Sequence, residues 1–462
     1  MKQNNKICSV VFNSVSRDAR VIKQAKSLAN SGYDVTVIGV ADQQFNLSNE
    51  IYENVVKIQR VSLKDLKKAL KLLFKLLALI IALSFISFND ETTVLSALVI
   101  ATKFFLVVLM FFYLVKLYRV CFANNSSTLD TSQISLLRKI SKAFWQLFKI
   151  APFLKILIKI RPAVIHCHDI HTLPLGVIAK VILRCKLVYD AHEIYEEVPQ
   201  VLLENGARLK SFKRIHNFSQ SYIDSFVTIN DSIAAWYADK YPRLPKAAVI
   251  MNAAVLSPGI PYDGRLHDAA GISREVHILL YQGGFSEHRG LDFLVKSAEH
   301  LPNHWVLVMM GWGSYEETLK VLAKSINSSV SAARHSDVIK FVPPAPQSDL
   351  VMWTAGGEIG VIPYENTGLN HWFCSPNKIW EFPNAGLPLL VSPFPELRKS
   401  VDIYRNGWLL PETEDTSYIG RLISSLSPEQ IKEASFNSRK FIEENNWSFY
   451  EKRLVELYSK LI

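Results

Sequence analysis

Lys378 and Glu381 stand three residues apart in the stretch Ser375-Pro376-Asn377-Lys378-Ile379-Trp380-Glu381. Ser375 suits an N-cap and Pro376 the first helical position, while Gly386 and Pro388 stop the run. The pattern predicts a short helix whose free N–H groups and positive dipole end face a loop, an arrangement that attracts phosphate. Spacing of i,i+3 puts Lys378 and Glu381 on one face. The ammonium can meet a diphosphate there, and the carboxylate can accept hydrogen bonds from a ribose diol. A capped surface helix with an ion pair would present the same residues, so the spacing alone leaves both readings open.

A second phosphate candidate is Tyr281-Gln282-Gly283-Gly284-Phe285-Ser286-Glu287-His288-Arg289-Gly290, between an expected strand and an expected helix. Gly283 and Gly284 allow close backbone approach to a ligand, and Arg289 can pair with phosphate. The stretch is neither G-x-G-x-x-G nor a Walker A loop. Two further clusters close expected strands: Ile165-His166-Cys167-His168-Asp169-Ile170-His171 and Tyr189-Asp190-Ala191-His192-Glu193. His166, His168 and His192 lack the i,i+4 or cysteine-rich spacing of a metal centre, so no metal is expected. Two His/acid clusters at neighbouring strand ends point instead to a polar substrate site.

These residues need parallel strands to carry them. Ile7 to Phe12, a helix over Asp18 to Asn30 closed by Gly32, and Val35 to Val40 form a β-α-β unit. Strands are expected at Ala163 to His166, Lys186 to Tyr189, Ser225 to Ile229 and Ala248 to Ile250. Ser257 to Gly271 reads as a linker. The rhythm restarts at His277 to Tyr281, Trp305 to Met310, Val338 to Val342, Ile359 to Ile362 and Leu389 to Ser392. Two Rossmann-like domains would result, 1–255 and 276–435, joined by a linker at 256–275. A C-terminal helix, 436–462, is expected to pack back toward the first domain. In such sheets ligands gather at the carboxyl ends of the strands.

One region breaks the rhythm. Leu72 to Phe88 and Val94 to Val115 are nearly all apolar, separated by Asn89-Asp90-Glu91-Thr92-Thr93. As helices they would reach roughly 26 and 33 Å, against a hydrocarbon core of about 30 Å. Lys103, near the middle of the second run, would cost about 3 kcal/mol in lipid. Lys64, Lys68, Lys71 and Lys75 recur at helical spacing opposite Leu66, Leu70, Leu73 and Leu77. Another basic amphipathic helix is expected over about 134–160. Buried core helices are the alternative, but an apolar pair beside basic faces favours membrane contact over about 63–124. Lysines flank the outer ends and acids fill the loop, which puts both termini in the cytoplasm if the runs cross.

Composition agrees. The 462 residues carry 52 Lys+Arg against 42 Asp+Glu, a net charge of +10 that favours an anionic partner. The 5 cysteines are dispersed without a CxxC pair, which speaks against a disulfide framework or structural zinc. A charged fraction of 20% with 11% aromatics excludes a disordered chain.

Together these motifs resemble the retaining glycosyltransferases of family 4 (glycosyl transferases group 1), which have the GT-B fold. The resemblance runs through Asp18-Ala19-Arg20-Val21, Gly32 to Val37, Arg161 to Asp169, Asp190-Ala191-His192-Glu193, Asn230-Asp231, Gly283 to Gly290 and Pro363 to Pro388. It implies two Rossmann-like domains facing a cleft and transfer of a sugar from a nucleotide-diphosphate donor. By that resemblance Glu381 would hold the ribose, and Arg289 with Lys378 the diphosphate. His168 would orient the donor sugar, and the loop at Val342-Pro343-Pro344 would meet the base. Asn366 to His371, including Asn370, would line the sugar and diphosphate pocket. Gly283, Gly284, Ser375 and Asn377 complete the implied donor site. Two positions depart from the family pattern: Gly284 stands where many relatives have arginine, and Phe373 where many have the first of two paired glutamates.

The resulting expectation is a metal-independent transferase without a cofactor, on the cytoplasmic face of a membrane, with a lipid-linked saccharide acceptor and no nucleic-acid partner. No Asp-x-Asp motif occurs in the chain. A nucleotide-sugar epimerase on the same fold would leave the membrane insertion without purpose. A non-catalytic scaffold would not need Lys378, Glu381, Arg289 and His168 together.

Overall fold

The computed structural model describes residues 5–62 and 150–462, apart from 17, 43, 46, 204–205, 260, 335 and 413–414. The apolar runs of 63–124, and the basic stretch as far as residue 149, lie outside the described residues. Among the described residues, no helix is long and apolar enough to cross a membrane. The chain divides into two compact units, Met1–His166 with Leu175–Cys185, and Cys167–Pro174 with Lys186–Ile462.

In the first unit, β1 (Lys6–Val10), β2 (Asp34–Val40), β3 (Asn49–Tyr52) and β4 (Val56–Val61) lie in the order β3-β4-β2-β1. β2 pairs in parallel with β1 and β4, as the β-α-β pattern predicts. The helix Ala19–Asn30 is capped by Asp18, whose carboxylate accepts from the Val21 N–H at 3.2 Å. Val21, Ala25 and Leu28 are buried, following the 3.6-residue period. β3 is antiparallel to β4 and was not expected. Its turn holds Glu53 and Asn54 at φ 44° and 60° without a glycine, so the usual hairpin signal is missing. The helix over residues 150–160 buries Phe153 and Leu157, with the Phe153 ring 5.2 Å from that of Phe12. Over the described part, 150–160, the helix expected to be amphipathic buries one face and leaves Lys155, Ile158 and Lys159 exposed on the other.

β5 (Val164–His168) crosses the unit boundary. In the second unit, β6 (Lys186–Ala191), β7 (Ser225–Thr228) and β8 (Ala247–Val249) pair in parallel. A six-stranded sheet follows: β9 (His277–Gly284), β10 (Trp305–Trp312), β11 (Ile339–Val342), β12 (Ile359–Ile362), β13 (Leu389–Val391) and β14 (Gly407–Leu409). Its order is β11-β10-β9-β12-β13-β14, parallel throughout. β14 is short and flanked by polar residues, which is why no apolar run announces it.

Residues 186–257 are tied to the C-terminal sheet by buried polar side chains. Asn230 caps the helix Asp231–Lys240, its Oδ1 accepting from the Ile233 N–H at 2.8 Å. The same amide donates to the Phe373 carbonyl at 2.7 Å and to Ser375 Oγ at 2.8 Å. Glu396 Oε1 accepts from both Ser232 N and Oγ, at 3.1 and 2.6 Å. Asn384 Oδ1 accepts from Ser257 N at 2.9 Å, and Arg439 donates to the Ser257 carbonyl at 2.9 Å. The stretch expected as a linker, 256–275, carries a helix, Arg265–Ala270, between left-handed Gly264 and Gly271. The chain ends in the helices Pro428–Asn445 and Trp447–Leu461, and the Trp447 N–H donates to the Ala254 carbonyl at 2.8 Å.

Asn230→Ala removes a helix cap and leaves the buried Phe373 carbonyl without its donor. Loss of about 2–4 kcal/mol is expected from those two effects. Urea unfolding checks it, and a change under about 0.5 kcal/mol, the size expected of an ordinary surface position, would show that the tie is not structural.

Candidate functional site

The strand order of the second sheet reverses between β9 and β12, which opens a crevice at their carboxyl ends. β9 ends there in Gln282-Gly283-Gly284, and β12 runs on into Pro363-Tyr364. Gly283 has φ +126°, and a Cβ on it would stand 2.8 Å from Lys378 Nζ. Gly290 has φ +66°, and a Cβ there would come within 1.6 Å of the Pro363 carbonyl oxygen. Backbone conformation favours glycine at both positions, and at Gly290 the Pro363 backbone also leaves no room for a side chain.

Lys378 lies in this crevice and is only 8% exposed. Its Nζ is 3.4 Å from the Tyr364 hydroxyl, and 5.3 and 5.6 Å from the ring centres of Tyr281 and Tyr364. The Arg289 guanidinium sits 4.4 Å over the same Tyr364 ring. Burial pushes the Tyr364 hydroxyl well above its ordinary pKa, against the pull of Arg289. Among the described residues neither cation has a carboxylate within ion-pair distance. Ring quadrupoles attract a cation but do not neutralise it. A buried ammonium held in this way is a site for an anion.

Glu381 is engaged elsewhere. Its Oε2 accepts from Gln282 Nε2 at 2.9 Å, and Gln282 Oε1 accepts from Thr354 Oγ1 at 2.7 Å. Gln282 and Thr354 are buried, so the carboxylate is oriented from behind by a fixed chain. The surface ion pair that the spacing allowed does not form. Gln282, Thr354, Tyr281 and Tyr364 were missed as individual site residues; Tyr281, Gln282 and Tyr364 stand at strand ends, whereas Thr354 closes the helix Leu350–Thr354 and gave no signal.

The helix itself starts later than expected. It spans Lys378–Asn384, Asn377 precedes it, and no side chain caps it. Ser375 is not the N-cap because its hydroxyl is taken by Asn230. Asn377 Oδ1 accepts from Asn252 at 3.0 Å. The far end follows expectation: Gly386 has φ +86°, and the Gly386 and Leu387 N–H groups return to Pro383 and Phe382, each at 2.9 Å. The anion site therefore rests on Lys378 and Arg289 rather than on a capped terminus.

The histidine cluster forms a chain of alternating imidazoles and carboxylates. Fully buried His168 places Nδ1 3.5 Å from Asp190 Oδ2 and 3.4 Å from His192 Nε2. His192 Nε2 is 3.3 Å from Asp190 and its Nδ1 3.2 Å from Asp169. Asp169, at φ 66°, also takes the Tyr195 hydroxyl. The imidazole open to solvent is His192 rather than His168, since β5 carries His168 inward. Next to it Glu193 is exposed at its tip but recessed. Burial and Asp169 raise its pKa, while His192 and Arg289 lower it. Arg289 thus shares a neighbourhood with this cluster.

Other expected contacts are redistributed. Asn370 Oδ1 accepts from the Ile194 N–H at 2.9 Å, so it fixes backbone beside Glu193. Val342 is 2% exposed, and its side chain belongs to the core. Only Pro343 and Pro344 after it are exposed, along with Trp312, 59% exposed at the same end of β10. Gly284 is exposed opposite Trp312 in the β9–β10 register. His371 is driven toward the neutral form by burial and by Arg289. Burial pushes the Cys374 thiol up to about 12, so it is no nucleophile.

Residues 276–427 match the family model for Glycosyl transferases group 1. Over that stretch the match bears out the glycosyltransferase resemblance of the motifs. A D-inositol 3-phosphate glycosyltransferase of Streptosporangium roseum is 26% identical over 215 residues, 44% of this chain and 48% of that protein. The match therefore spans about half the length of that curated relative. Among solved structures, sucrose-phosphate synthase of Thermosynechococcus elongatus is similar at TM-score 0.65 and 13% identity, over 99% of both chains. Anabaena HepE, solved with UDP-glucose, is similar at TM-score 0.62 and 13% identity, over 98% of this chain and 99% of that one. Likeness at this distance shows the fold, which is α/β and GT-B-like with parallel sheets.

Lys378→Met replaces an uncompensated buried charge by an apolar side chain of similar length. Without ligand the variant is expected to be as stable as the parent or more stable by about 1–2 kcal/mol, while losing its affinity for diphosphate. Thermal unfolding with and without UDP reads both effects. Clear destabilisation of the ligand-free variant would mean that the ammonium is a structural group.

Proposed function

We propose that the chain is a membrane-associated retaining glycosyltransferase of family 4. It moves a sugar from a nucleotide-diphosphate sugar to a lipid-linked saccharide acceptor at the cytoplasmic face of the membrane, in polysaccharide or glycolipid synthesis. The observation that carries the reading is the buried ammonium of Lys378, without a carboxylate partner and beside Arg289, at the crevice where the sheet order reverses. The group 1 family match, the D-inositol 3-phosphate glycosyltransferase and the UDP-glucose held by HepE support it.

The chemistry follows from the residues present. As the anomeric C–O bond breaks, negative charge grows on the departing diphosphate. Lys378 and Arg289 meet that charge in a site prearranged for it, which lowers the barrier. Glu381, braced by Gln282, accepts from the ribose hydroxyls and anchors the nucleoside. His192, with His168 behind it, and Glu193 offer polar contacts to the sugar. The acceptor hydroxyl attacks the face that the diphosphate leaves and gives its proton to the leaving phosphate oxygen, so the configuration is kept.

Glu381 grips the donor equally in ground and transition states, whereas Lys378 meets diphosphate charge that is present in the first and greater in the second. Glu381→Gln should therefore raise the donor KM more than it lowers kcat, and Lys378→Ala should lower kcat about a hundredfold. Steady-state kinetics separates the two. Values of kcat/KM within about threefold of the parent for both variants, a change of under 1 kcal/mol, would show that the donor site is misplaced.

Turnover is expected to survive EDTA, and an NMR spectrum of the product should show the donor's anomeric configuration. Activity abolished by EDTA and restored by manganese would refute the charge-clamp mechanism, and an inverted product would refute retention.

The membrane part rests on the apolar runs and the basic faces of the sequence. Deleting residues 63–124 should release the protein from membranes and leave UDP binding intact. A full-length protein that stays in the soluble fraction at low salt without detergent would end this part of the proposal.

A further inference from the structure

A cavity of about 340 Å3 adjoins the helix Lys378–Asn384, lined among others by Trp380, Lys399, Ile403, Phe449, Tyr450 and Arg453. Its size is in the range of small-molecule pockets. All of its lining belongs to the second unit, and neither Lys378 nor Arg289 contributes to it.

Two residues of its wall carry polar groups that make no hydrogen bond among the described residues. Trp380 is 2% exposed, and its indole Nε1 has no hydrogen-bond partner among the described residues. Tyr450 is 5% exposed, and its hydroxyl likewise makes no hydrogen bond among the described residues. The indole N–H is sealed from solvent, whereas the Tyr450 hydroxyl is not among the sealed atoms, so the hydroxyl is the group of this pair that is open to a partner from outside. The charges on the wall are unequal in availability. Asp231 is paired with Lys399 at 2.8 Å, and Glu396 is bonded to Ser232. Arg453 has no carboxylate partner among the described residues; its guanidinium lies 4.4 Å over the Phe449 ring and 5.9 Å from that of Tyr450. The available cation is thus set at an aromatic wall. Phe449 and Tyr450 meet edge to face at 5.1 Å, as do Tyr404 and Phe441, also on the wall.

We propose that this cavity is a second ligand site, for a small aromatic anion. The flat ring would pack against Phe449 and Tyr450, the anionic group would pair with Arg453, and an acceptor atom would take the Tyr450 hydroxyl. The inference is independent of the donor-site reading, because it needs none of the donor-site residues.

The test uses the full-length chain in detergent, labelled with 5-fluorotryptophan, with Trp380→Phe to assign the Trp380 fluorine signal. Phenyl phosphate, benzoate and phenethylammonium are titrated separately, with inorganic phosphate as the ring-free control. A saturable shift of the Trp380 signal with phenyl phosphate or benzoate is expected, and the stronger of the two identifies the anionic group. Arg453→Ala, an exposed position that should not disturb folding, is expected to weaken binding about tenfold or more. Lys378→Met should leave it within about twofold, which separates this site from the crevice. The proposal is overturned if neither anion gives a saturable shift in the millimolar range, if phenethylammonium or inorganic phosphate shifts the signal equally, or if Arg453→Ala binds like the parent.

Discussion

An ammonium group buried without a carboxylate partner is the constraint around which the second unit is arranged. Desolvating a cation is costly, and among the described residues Lys378 is met by two tyrosine rings and a hydroxyl 3.4 Å away, with no carboxylate in ion-pair range. The surroundings make that arrangement possible. Gly283 leaves the space that the Nζ occupies, since a Cβ there would be 2.8 Å from it. Glu381, one turn along the same helix, is turned toward Gln282 and so does not quench the charge. A local salt bridge would have been easier to build and would have satisfied the charge. Its absence among the described residues leaves a positive charge at the crevice without an acidic partner. Stability is given up at this point in exchange for an oriented, dry positive charge.

That charge is useful only if the helix carrying it stays put, and a seven-residue helix cannot hold itself. Its support comes from both ends. Asn230 grips Phe373 and Ser375 just ahead of it while capping the helix Asp231–Lys240 with its other atom. Asn384, the last residue, bonds Ser257 N and the Val255 carbonyl, and Arg439 reaches the carbonyls of both Asn384 and Ser257. The side chains that hold the donor helix therefore come from distant parts of the sequence, and each makes two or more bonds. Asn230 and Asn384 thus brace the chain on either side of Lys378 without touching it.

The parallel strands were legible because they are buried apolar runs, and a run such as Ile359 to Ile362 needs no partner to be recognised. β3 escaped notice because it is short, half exposed and turned by Glu53-Asn54, a pair without glycine. Lys378, Arg289 and Glu381 were legible from residue type and from punctuation by glycine and proline. The role of Ser375 was not, because a free N-cap serine and one captured by an asparagine 145 positions earlier look the same in sequence. Tyr281, Gln282, Thr354 and Tyr364 were equally invisible. They act by surrounding or bracing a charged group, and such work leaves no spacing rule. His168 stood out for its type, but only the fold shows that it is buried and that His192 forms the accessible end of the chain.

The two departures from the family pattern acquire physical meanings in this arrangement. Phe373 contributes its backbone carbonyl to Asn230, a task indifferent to the side chain, so loss of a glutamate there removes a negative charge without loosening the support. Gly284 is exposed opposite Trp312, where an arginine would have added a third cation to Arg289 and Lys378. Removing one acid and one base together keeps the local charge balance while narrowing the positive potential to two cations that share the Tyr364 ring. A clamp focused in this way depends on Tyr364 as much as on either cation, because the ring fixes the position of both. Among the described residues, the positive potential at this crevice is thus framed by an aromatic ring shared by both cations rather than by a carboxylate.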